Sequence, residues 1–497
     1  EIQAMSNSDD RRLIEDYLPI EAISAEASGE PRTKGHLSTL HLWRARRPLV
    51  ACRAAVYAAL VPASQFVSNG ASDAKKKTLG RANAAKFVER LCKYPGEPAA
   101  ILEAQKHLLD AHVKRQAVPS PVAGMSENSD RTRVLDLFAG GGAIPLEAAR
   151  LGCETYAVEL NPVAHLIELC TTTFPQKFGS DLADDVEKWG RRVLDETKRA
   201  VSDVLSVVRR SSKVRTLPGE PSSDELAVVA HYWTRTVRCP NAQCHGTVPL
   251  YRQTWLRKKE SGFVALRPEP DLQKKVVRFH VVRSQTEAGM GFDPGDGSEG
   301  SATVCPFCAA AVPGSYVREY GDTRGFGQQL MCVITLNPEG TGKLFLVDPG
   351  LADGEAALQE KAEVRANEIE RELGNSSLDE DVPPTGNAGL ATGNSYLYGI
   401  KTFRQVFTPR QRLILLTWAR EIRRAHEAIS QSGVEPERAK AITTYLGIWL
   451  SRVTDRFNSL CRWNNAREVI QGITDMKRFA MMWDFPEVNI FGGGSGD

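Results

Sequence analysis

Residues 133–142 read RVLDLFAGGG, and residues 143–152 read AIPLEAARLG. The first stretch is a short apolar run that ends in a glycine turn, and the second has the composition of a helix. A second run of strand character, ETYAVEL at 154–160, and a second helical segment, PVAHLIELC at 162–170, follow. The order strand, turn, helix, strand, helix is typical of a parallel α/β sheet, so we predict an α/β fold.

The glycine turn has the features of a nucleoside-binding loop. Gly140 and Gly142 let the backbone approach a ligand closely, and the following helix presents free N–H groups. Glu159, at the end of the second strand, is suited to accept hydrogen bonds from both hydroxyls of a ribose. Pro145 stands where a dinucleotide-binding fingerprint has its third glycine, which favours a ligand without a pyrophosphate. The alternative is a plain strand-to-helix turn in an unrelated α/β protein.

Four of the ten cysteines form two close pairs, Cys239-Pro-Asn-Ala-Gln-Cys244 and Cys305-Pro-Phe-Cys308. Each pair brings two thiolates to one side of a tight turn, and two such turns complete a tetrahedral zinc site with four sulfur ligands. Both pairs are flanked by strand-like segments, as a zinc ribbon requires. His245 is an alternative ligand, and four incidental cysteines are the simpler interpretation. We predict a structural Zn²⁺ site, because four thiolates leave no position open for water.

Basic residues cluster near the N-terminus and around the paired cysteines. Residues 34–48, KGHLSTLHLWRARRP, combine cations, two histidines and a tryptophan, a composition suited to phosphate contacts and base stacking. The alternative is a helix N-terminus whose arginines pair with acidic neighbours. Further basic residues are Arg209, Arg210, Lys213, Arg215, Arg257 to Lys259, Lys274, Lys275 and Arg278. They permit a local nucleic-acid-binding patch, although most of them are expected on solvated faces.

Composition excludes several classes of protein. The 497 residues are 42% hydrophobic and 25% charged, which is ordinary for a globular protein and excludes wholesale disorder. Lys+Arg 63 against Asp+Glu 61 gives a net charge of +2, so net charge indicates no partner. No apolar run is long enough for a membrane span, and the polar N-terminus lacks a signal-peptide core. We therefore expect a cytoplasmic protein.

Four regions are predicted along the chain. They are a helical N-terminal region (10–116), the first half of an α/β core (132–210), a β-rich insertion with the zinc ribbon (225–350) and a helical region (395–497). Pro/Ser-rich segments at 117–131 and 211–224 separate the first three. Within these regions we predict a helix within 40–60 opened by Pro48, a solvated loop at Lys75–Lys77, and helices at 181–208 and 356–373.

The motif D-x-F-x-G-x-G followed by an acidic residue resembles the cofactor-binding motif of class I S-adenosylmethionine (SAM)-dependent methyltransferases. Nearly the whole chain resembles the adenine-specific DNA methylases that contain a Zn-ribbon. The resemblance includes GHLSTLHLWRARRPL, RVLDLFAGGGAIPLEA, YWTRTVRCP, YGIKTFRQVFTPRQRL, SRVTDRFNSLCRW and MMWDFPEVN. It implies a Rossmann-like methyltransferase core, SAM as cofactor, double-stranded DNA as partner and methyl transfer to adenine N6. Members of this family commonly neighbour phage-defence genes, which implies marking of host DNA.

The resemblance also implies roles for particular residues. Asp136 would face the methionine amino group through the loop, and Phe138 to Gly142 would line the methionine and the sugar. The HLWRARRP segment would be a helix that closes over the cofactor carboxylate, which gives Arg46 and Arg47 a cofactor role. The predicted cofactor-binding residues are Arg46, Arg47, Asp136, Phe138, Ala139, Gly140, Gly142, Glu159 and Asn161. The predicted metal ligands are Cys239, Cys244, Cys305 and Cys308.

One family motif is missing. Amino methyltransferases of this type carry Asp/Asn-Pro-Pro-aromatic, whose side chain and prolyl carbonyl bind the target amine. The nearest strings, Asp381-Val-Pro-Pro-Thr and Asp484-Phe-Pro-Glu, lack the aromatic residue and one proline respectively. The catalytic residues are therefore not identified, and either a longer chain or a second polypeptide is expected to supply them. An RNA base-amine methyltransferase and a non-catalytic nucleic-acid-binding subunit of a defence complex remain as alternatives.

Overall fold

The structure is a computed structural model. It describes residues 10–31, 35–43, 45–67, 73–116, 131–209, 225–374, 377–384, 394–476 and 479–494. The chain divides into two compact units. The first unit comprises Glu1–Glu187 and Val434–Trp449, and the second comprises Lys188–Gly433 and Leu450–Asp497.

The described part of the chain is a mixture of helices and short strands. The helices are α1 (Leu13–Asp16), α2 (Ile20–Gly29), α3 (Leu49–Leu60), α4 (Asp73–Leu91), α5 (Pro98–Gln116), α6 (Ala143–Arg150), α7 (Pro162–Glu168), α8 (Phe174–Phe178), α9 (Asp181–Ala200), α10 (Gly314–Arg324), α11 (Pro349–Leu373), α12 (Pro409–Gln431), α13 (Pro436–Thr454) and α14 (Ile473–Met476). The strands are β1 (Arg133–Asp136), β2 (Glu154–Ala157), β3 (Val208–Arg209), β4 (Glu225–Leu226), β5 (Val228–Arg238), β6 (Thr247–Pro249), β7 (Trp255–Lys259), β8 (Gly262–Asp271), β9 (Val276–Ser284), β10 (Thr303–Val304), β11 (Ala311–Val312), β12 (Gly327–Leu336), β13 (Lys343–Leu346), β14 (Arg462–Asn464), β15 (Val469–Gln471) and β16 (Asp484–Val488).

Several helices begin at a capping residue followed by proline. Asn161, Asp348 and Thr408 cap α7, α11 and α12, and a proline occupies the first helical position in each case. The cap side chain accepts a hydrogen bond from a free backbone N–H, and proline has no N–H to leave unpaired there. These local rules fix where the three helices start.

In the first unit, β1 and β2 form a parallel pair, with Val134 opposite Thr155 and Asp136 opposite Ala157. Buried side chains of α1, α3, α4, α5 and α6 form one core. The guanidinium of Arg53 and the carboxylate of Glu147, both fully buried, link α3 to α6 across 2.6 Å. The remaining N–H groups of Arg53 donate to the carbonyls of Leu91, Lys93 and Pro95. This network anchors the helix that follows the glycine turn.

In the second unit, the largest sheet has the order β13-β12-β5-β16, and β6 also pairs with β5. All of its pairings are antiparallel. Separate antiparallel groups are β7-β8-β9, β10-β11, β14-β15 and β3-β4. The central strand β5 pairs with β12, β16 and β6 and is buried along nearly its whole length, so it lies at the centre of this unit.

The strand–turn–helix–strand–helix order predicted from residue 133 onward is confirmed, and so are the helical N-terminal region and the β-rich middle region. The first half of a Rossmann-like core was predicted at 132–210, and the described residues of this range contain one parallel strand pair, β1–β2, which does not by itself establish such a core. The helices of 395–497 are present as α12 and α13, but three strands, β14 to β16, also fall in this range. The predicted helix at 356–373 is present as part of α11.

Of the local predictions, the helix within 40–60 opened by Pro48 is confirmed as α3, which begins at Leu49 with Pro48 at its N-cap. Two others are wrong. Lys75–Lys77 lie inside α4 rather than in a loop, because the surrounding sequence has helical periodicity and lysine is a good helix former. The helix predicted for 181–208 ends at Ala200 and is followed by a short 3₁₀ turn and β3.

Candidate ligand site and metal centre

The glycine turn connects β1 to α6 with the backbone conformation that its sequence requires. Gly140 and Gly142 have φ of +57° and +78°, in the left-handed region that only glycine adopts readily. The carboxylate of Asp136 accepts a hydrogen bond from the backbone N–H of Phe138 over 3.1 Å, which shapes the start of the turn. Among the described residues, no side chain caps the N-terminus of α6, so its first backbone N–H groups have no side-chain partner there.

Glu159 lies beside this turn, at the end of β2. Its two carboxylate oxygens accept hydrogen bonds from the backbone N–H groups of Asn161 (2.9 Å) and Gly140 (2.7 Å). These donors hold the pKa of Glu159 below its usual value. The carboxylate is thus charged and fixed in orientation, and each oxygen keeps a lone pair with which to accept a further donor. The structure brings the predicted ribose-binding carboxylate to the glycine turn.

Asn161 and Ala139 also have structural roles beside the turn. The side-chain oxygen of Asn161 accepts hydrogen bonds from Val163 and Ala164 and caps α7. Ala139 is buried, and its N–H donates to the carbonyl of Val158 across the sheet. These contacts position the surrounding elements.

Phe138 projects from the turn with 90% of its surface exposed. Several neighbouring apolar residues of the strand pair are also exposed, namely Leu135, Leu137, Tyr156, Val158 and Leu160. Parallel sheets in globular proteins are usually covered on both faces. The face of β1–β2 that carries Leu135 and Tyr156 is therefore an apolar surface available for packing.

The indole of Trp43 lies over the glycine turn. A methyl group at Gly140 would come within 2.8 Å of the Trp43 indole nitrogen, and one at Gly141 within 3.3 Å of the same ring. The segment that carries Trp43 is anchored through His36, whose buried ring lies 2.9 Å from the Glu30 carboxylate. The basic segment and the glycine turn, separate in the sequence, thus meet in the structure.

The structure does not place the two predicted arginines on the glycine turn itself. Arg46 is half-buried and donates to the carbonyl of His41 within its own segment, and Arg47 is exposed. The segment has an extended and turn conformation up to Pro48 in its described residues, instead of the predicted helix. Arg44 lies outside the described residues.

A buried glutamate, which the sequence analysis missed, lies against the same turn. Glu168, the last residue of α7, is 5% exposed, and its Cγ would lie 3.1 Å from a Cβ at Gly142. A π-helical turn, Leu169–Thr173, follows it directly. Burial, followed by the negative charges of Glu159 and Asp136, raises the pKa of Glu168 to about 7. In the sequence, Glu168 is one more residue of the predicted helix PVAHLIELC. Its position against the glycine turn is visible only in the folded structure.

The four predicted metal ligands converge in the second unit. The sulfurs of Cys239, Cys244, Cys305 and Cys308 all lie within 4.8 Å of one another. Cys239 and Cys308 are 3.6 Å apart, and Cys244 and Cys305 are 3.7 Å apart. Four ligands at about 2.3 Å from a tetrahedral zinc ion have sulfurs roughly 3.8 Å apart, whereas a disulfide bond is only about 2 Å long. The arrangement therefore fits a bound metal ion.

The two cysteine turns share the same backbone geometry. The residue after the second cysteine of each pair is left-handed, with φ of +54° at His245 and +56° at Ala309. The N–H of Cys239 donates to Gly246, and that of Cys305 donates to Ala310. The backbone N–H of Ala310 lowers the pKa of Cys308, whereas burial raises the pKa values of Cys239 and Cys244. Among the described residues, the cluster consists of the four cysteines without His245.

The basic residues around the ribbon are largely neutralised. Arg257 and Lys259 both pair with Glu468, and Lys258 pairs with Glu287. Arg278 pairs with Asp271. Lys275 lies over the ring of Phe307. Most of these cations were expected on solvated faces. The four named here also form ion pairs, and Lys275 contacts an aromatic ring. Three of the predicted basic residues lie outside the described residues, namely Arg210, Lys213 and Arg215, and so does the side chain of Arg209.

Neither near-match to the missing catalytic motif forms an open site. Asp484 is half-buried in β16, where it accepts hydrogen bonds from the Tyr232 hydroxyl and the Arg252 N–H. Asp381 pairs with Thr402 in an isolated bridge, and the adjacent Val382 is fully buried. Both segments contribute to the packing of the second unit.

The second unit also contains a buried charge network that the sequence analysis did not identify. Arg410 pairs with Glu355 at 2.7 Å and with Glu487 at 2.9 Å, and it lies 3.1 Å from the His231 ring. These side chains come from α12, α11, β16 and β5. Because they are far apart in the sequence, spacing gives no indication that they meet. The network joins the helices to the central strand.

Among the described residues, no helix combines the length and apolarity needed to cross a bilayer.

Comparison with known proteins adds one match. Residues 17–87 match a family described as "Protein of unknown function (DUF1156)". The matched segment includes Trp43, Arg46, Arg47 and Arg53 and ends before the glycine turn. No curated protein matches the chain. No solved structure matches it either. The comparisons therefore assign no chemistry to the site.

Proposed function

We propose that the chain is the cofactor-binding and recognition part of a SAM-dependent methyltransferase that acts on adenine N6 in DNA. The observation that carries this proposal is the glycine turn with an oriented carboxylate beside it. Gly140 and Gly142 leave the backbone free of side chains, and Glu159 is fixed by two backbone donors at the end of the next strand. In open α/β sheets, ligands bind at the carboxyl ends of the strands.

The fit to SAM follows from the charges around the turn. SAM carries a sulfonium and an amino group, which are cationic, and a ribose with two hydroxyls. The turn offers the Asp136 and Glu159 carboxylates, and the indole of Trp43 provides an aromatic surface. When bound, SAM supplies an activated methyl group, and the chain contributes binding and orientation.

The cysteine cluster supports a structural role for Zn²⁺ in the proposed protein. With four sulfur ligands, the ion would have no coordination position left for substrate. It would hold β5, β6, β10 and β11 in place through their connecting turns. In the proposed function, this ribbon belongs to the part that recognises DNA.

The catalytic residues for methyl transfer belong, in this proposal, to a further α/β segment, in a longer chain or a second polypeptide. Its parallel strands would extend the β1–β2 pair, and its helices would cover the apolar face formed by Leu135, Leu137, Tyr156 and Val158. The support is the exposure of this face, since a parallel sheet is normally covered on both sides.

The first experiment is calorimetric titration of SAM into the chain, after elemental analysis for zinc. We expect one-to-one binding that is lost in Glu159→Ala, whereas Glu154→Ala, on the same strand, retains it. The methylation assay then uses matched DNA and tRNA with the chain plus the segment that carries the catalytic motif, and it measures N6-methyladenine. If only tRNA is methylated, the substrate is RNA and the proposal of a DNA methyltransferase is wrong.

A second function is favoured by one specific observation, the missing Asp/Asn-Pro-Pro-aromatic motif. A non-catalytic subunit of a defence complex would bind nucleic acid through the ribbon. Such a subunit would bind DNA but bind no SAM and show no turnover, even with its partner present. The titration above therefore separates the two functions.

A further inference from the structure

Glu168 is buried against the glycine turn with an unsatisfied carboxyl oxygen. Its Oε1 has no hydrogen-bond partner among the described residues, and its Oε2 lies 3.9 Å from His165 Nδ1. Nearly all buried polar groups in proteins are hydrogen-bonded, so each exception requires an explanation. The nearest turn residue is Gly142, whose missing side chain makes room for the Glu168 side chain.

The donors around Glu168 are directed elsewhere. The hydroxyl of Thr171 donates to the carbonyl of Ile167, and that of Thr172 donates to the backbone carbonyl of Glu168. The π-helical turn that begins at Leu169 changes the direction of the chain immediately after this glutamate. Such turns occur frequently at functional sites. The local fold thus keeps the Glu168 carboxyl buried without giving it a donor.

Three carboxyl groups therefore surround the turn. Asp136 and Glu159 each accept backbone N–H groups, whereas Glu168 Oε1 has no hydrogen-bond partner in the part of the chain that the structure describes. Burial raises the pKa of Glu168 to about 7, and the charges of Glu159 and Asp136 act in the same direction. A positive charge brought to the turn would act in the opposite direction, because it stabilises the ionised carboxylate.

We propose that Glu168 is a proton-linked positioning residue of the ligand site, whose carboxyl proton is released when a cationic ligand binds at the glycine turn. The identity of the ligand, SAM, rests on the proposed function. The carboxyl group loses one proton to the buffer, and its new negative charge balances the positive charge of the ligand. No covalent bond to the ligand forms or breaks. Binding then strengthens as the pH rises through the pKa of Glu168.

The test is titration of SAM into the chain at pH 7 in buffers with different ionisation enthalpies, which counts the protons released. With a pKa near 7, about half a proton per bound SAM comes from Glu168, and nearly a full proton does so at pH 6. The wild-type measurement does not depend on any variant. Glu168→Gln should retain binding and lose this release.

The controls separate Glu168 from other titrating groups. The amino group of the ligand itself titrates near neutral pH, so the relevant quantity is the difference between wild type and Glu168→Gln. His165→Gln and the exposed Glu21→Gln should both keep the wild-type release. We also expect the affinity of wild type to rise several-fold from pH 6 to pH 8 and that of Glu168→Gln to change less.

The outcomes distinguish this inference from the proposed function. Binding of SAM with the same proton count in wild type and Glu168→Gln overturns the inference and leaves the function intact. No binding of SAM to wild type overturns both. S-adenosylhomocysteine lacks the sulfonium charge. A smaller release with it assigns the sulfonium as the coupled cation, and an equal release assigns the amino group. Either result supports the inference.

Discussion

The glycine turn and the cysteine cluster were both predicted from short motifs, but they differ in how far the structure completes them. The four cysteine sulfurs lie at the spacing of a metal site, and their turns carry matching left-handed residues. At the glycine turn, Glu159 is fixed, yet Phe138 is 90% exposed and Leu160 is 97% exposed. A structural metal site needs little more than its metal-binding side chains. A site for an organic ligand also needs side chains from distant parts of the fold to enclose the ligand.

Removing one cysteine tests the more complete of the two sites and should have the largest effect. Cys305→Ser leaves three thiolates, so we expect zinc content to fall from about one ion per chain to near zero and the second unit to unfold. Structural zinc in zinc-finger peptides contributes on the order of 10 kcal/mol. Elemental analysis and circular dichroism measure the two effects.

His245→Ala is the matched control for the metal site. It changes an exposed residue that directly follows a ligand, and it should keep the ion. Full metal content in Cys305→Ser, or none in the wild type, would contradict the zinc proposal.

Glu147→Gln tests whether the buried ion pair with Arg53 holds α6, the helix that follows the glycine turn. This change leaves the guanidinium of Arg53 buried without its charge partner, and breaking such a pair costs about 3–5 kcal/mol. Chemical unfolding of wild type and variant measures the loss in the first unit. Arg90→Ala breaks an exposed ion pair with Glu103 and should cost less than about 1 kcal/mol. Equal losses in the two variants would argue against α6 being anchored by Arg53.

The contact between Trp43 and the turn is tested by comparing Gly140→Ala with Gly152→Ala. Both glycines have positive φ, so backbone strain should lower the stability of each variant by about 1–2 kcal/mol. Only Gly140→Ala also meets the Trp43 indole at 2.8 Å, whereas the nearest atom at Gly152 is 3.4 Å away. We expect Gly140→Ala to be less stable by a further 1 kcal/mol or so, in the range typical of overpacking. Adding Trp43→Ala should remove this excess, and an unchanged excess would place its origin elsewhere.

The smallest effect on stability is expected at Phe138. Because its side chain is 90% exposed, Phe138→Ala should change the free energy of unfolding by no more than about 0.5 kcal/mol. If Phe138 lines the methionine and sugar, as the family resemblance implies, the same variant should weaken SAM binding in the calorimetric titration. Unchanged affinity would remove Phe138 from the proposed site and leave the glycine turn with Glu159.

Features that depend on neighbouring residues could be predicted from the sequence. The run RVLDLFAGGG indicated a strand and a glycine turn, Pro48 indicated the start of α3, and the cysteine spacings indicated two turns that each bring two sulfurs together. Errors arose where other tendencies prevailed. Lys75–Lys77 read as a solvated loop because of their charge, but their helix propensity prevailed. The HLWRARRP segment, a helix by the family resemblance, has an extended and turn conformation in its described residues, because α3 begins only after Pro48.

Which distant residues lie together depends on the packing of the folded chain. It placed Trp43 over Gly140, Glu168 against Gly142, and Arg410 between Glu355 and Glu487. These contacts follow from the packing of whole helices and strands, so the spacing of residues along the chain carries no information about them. Burial, too, is a property of the packed unit. The sequence showed a glutamate at position 168, and only its enclosure by the fold makes its protonation sensitive to a neighbouring charge.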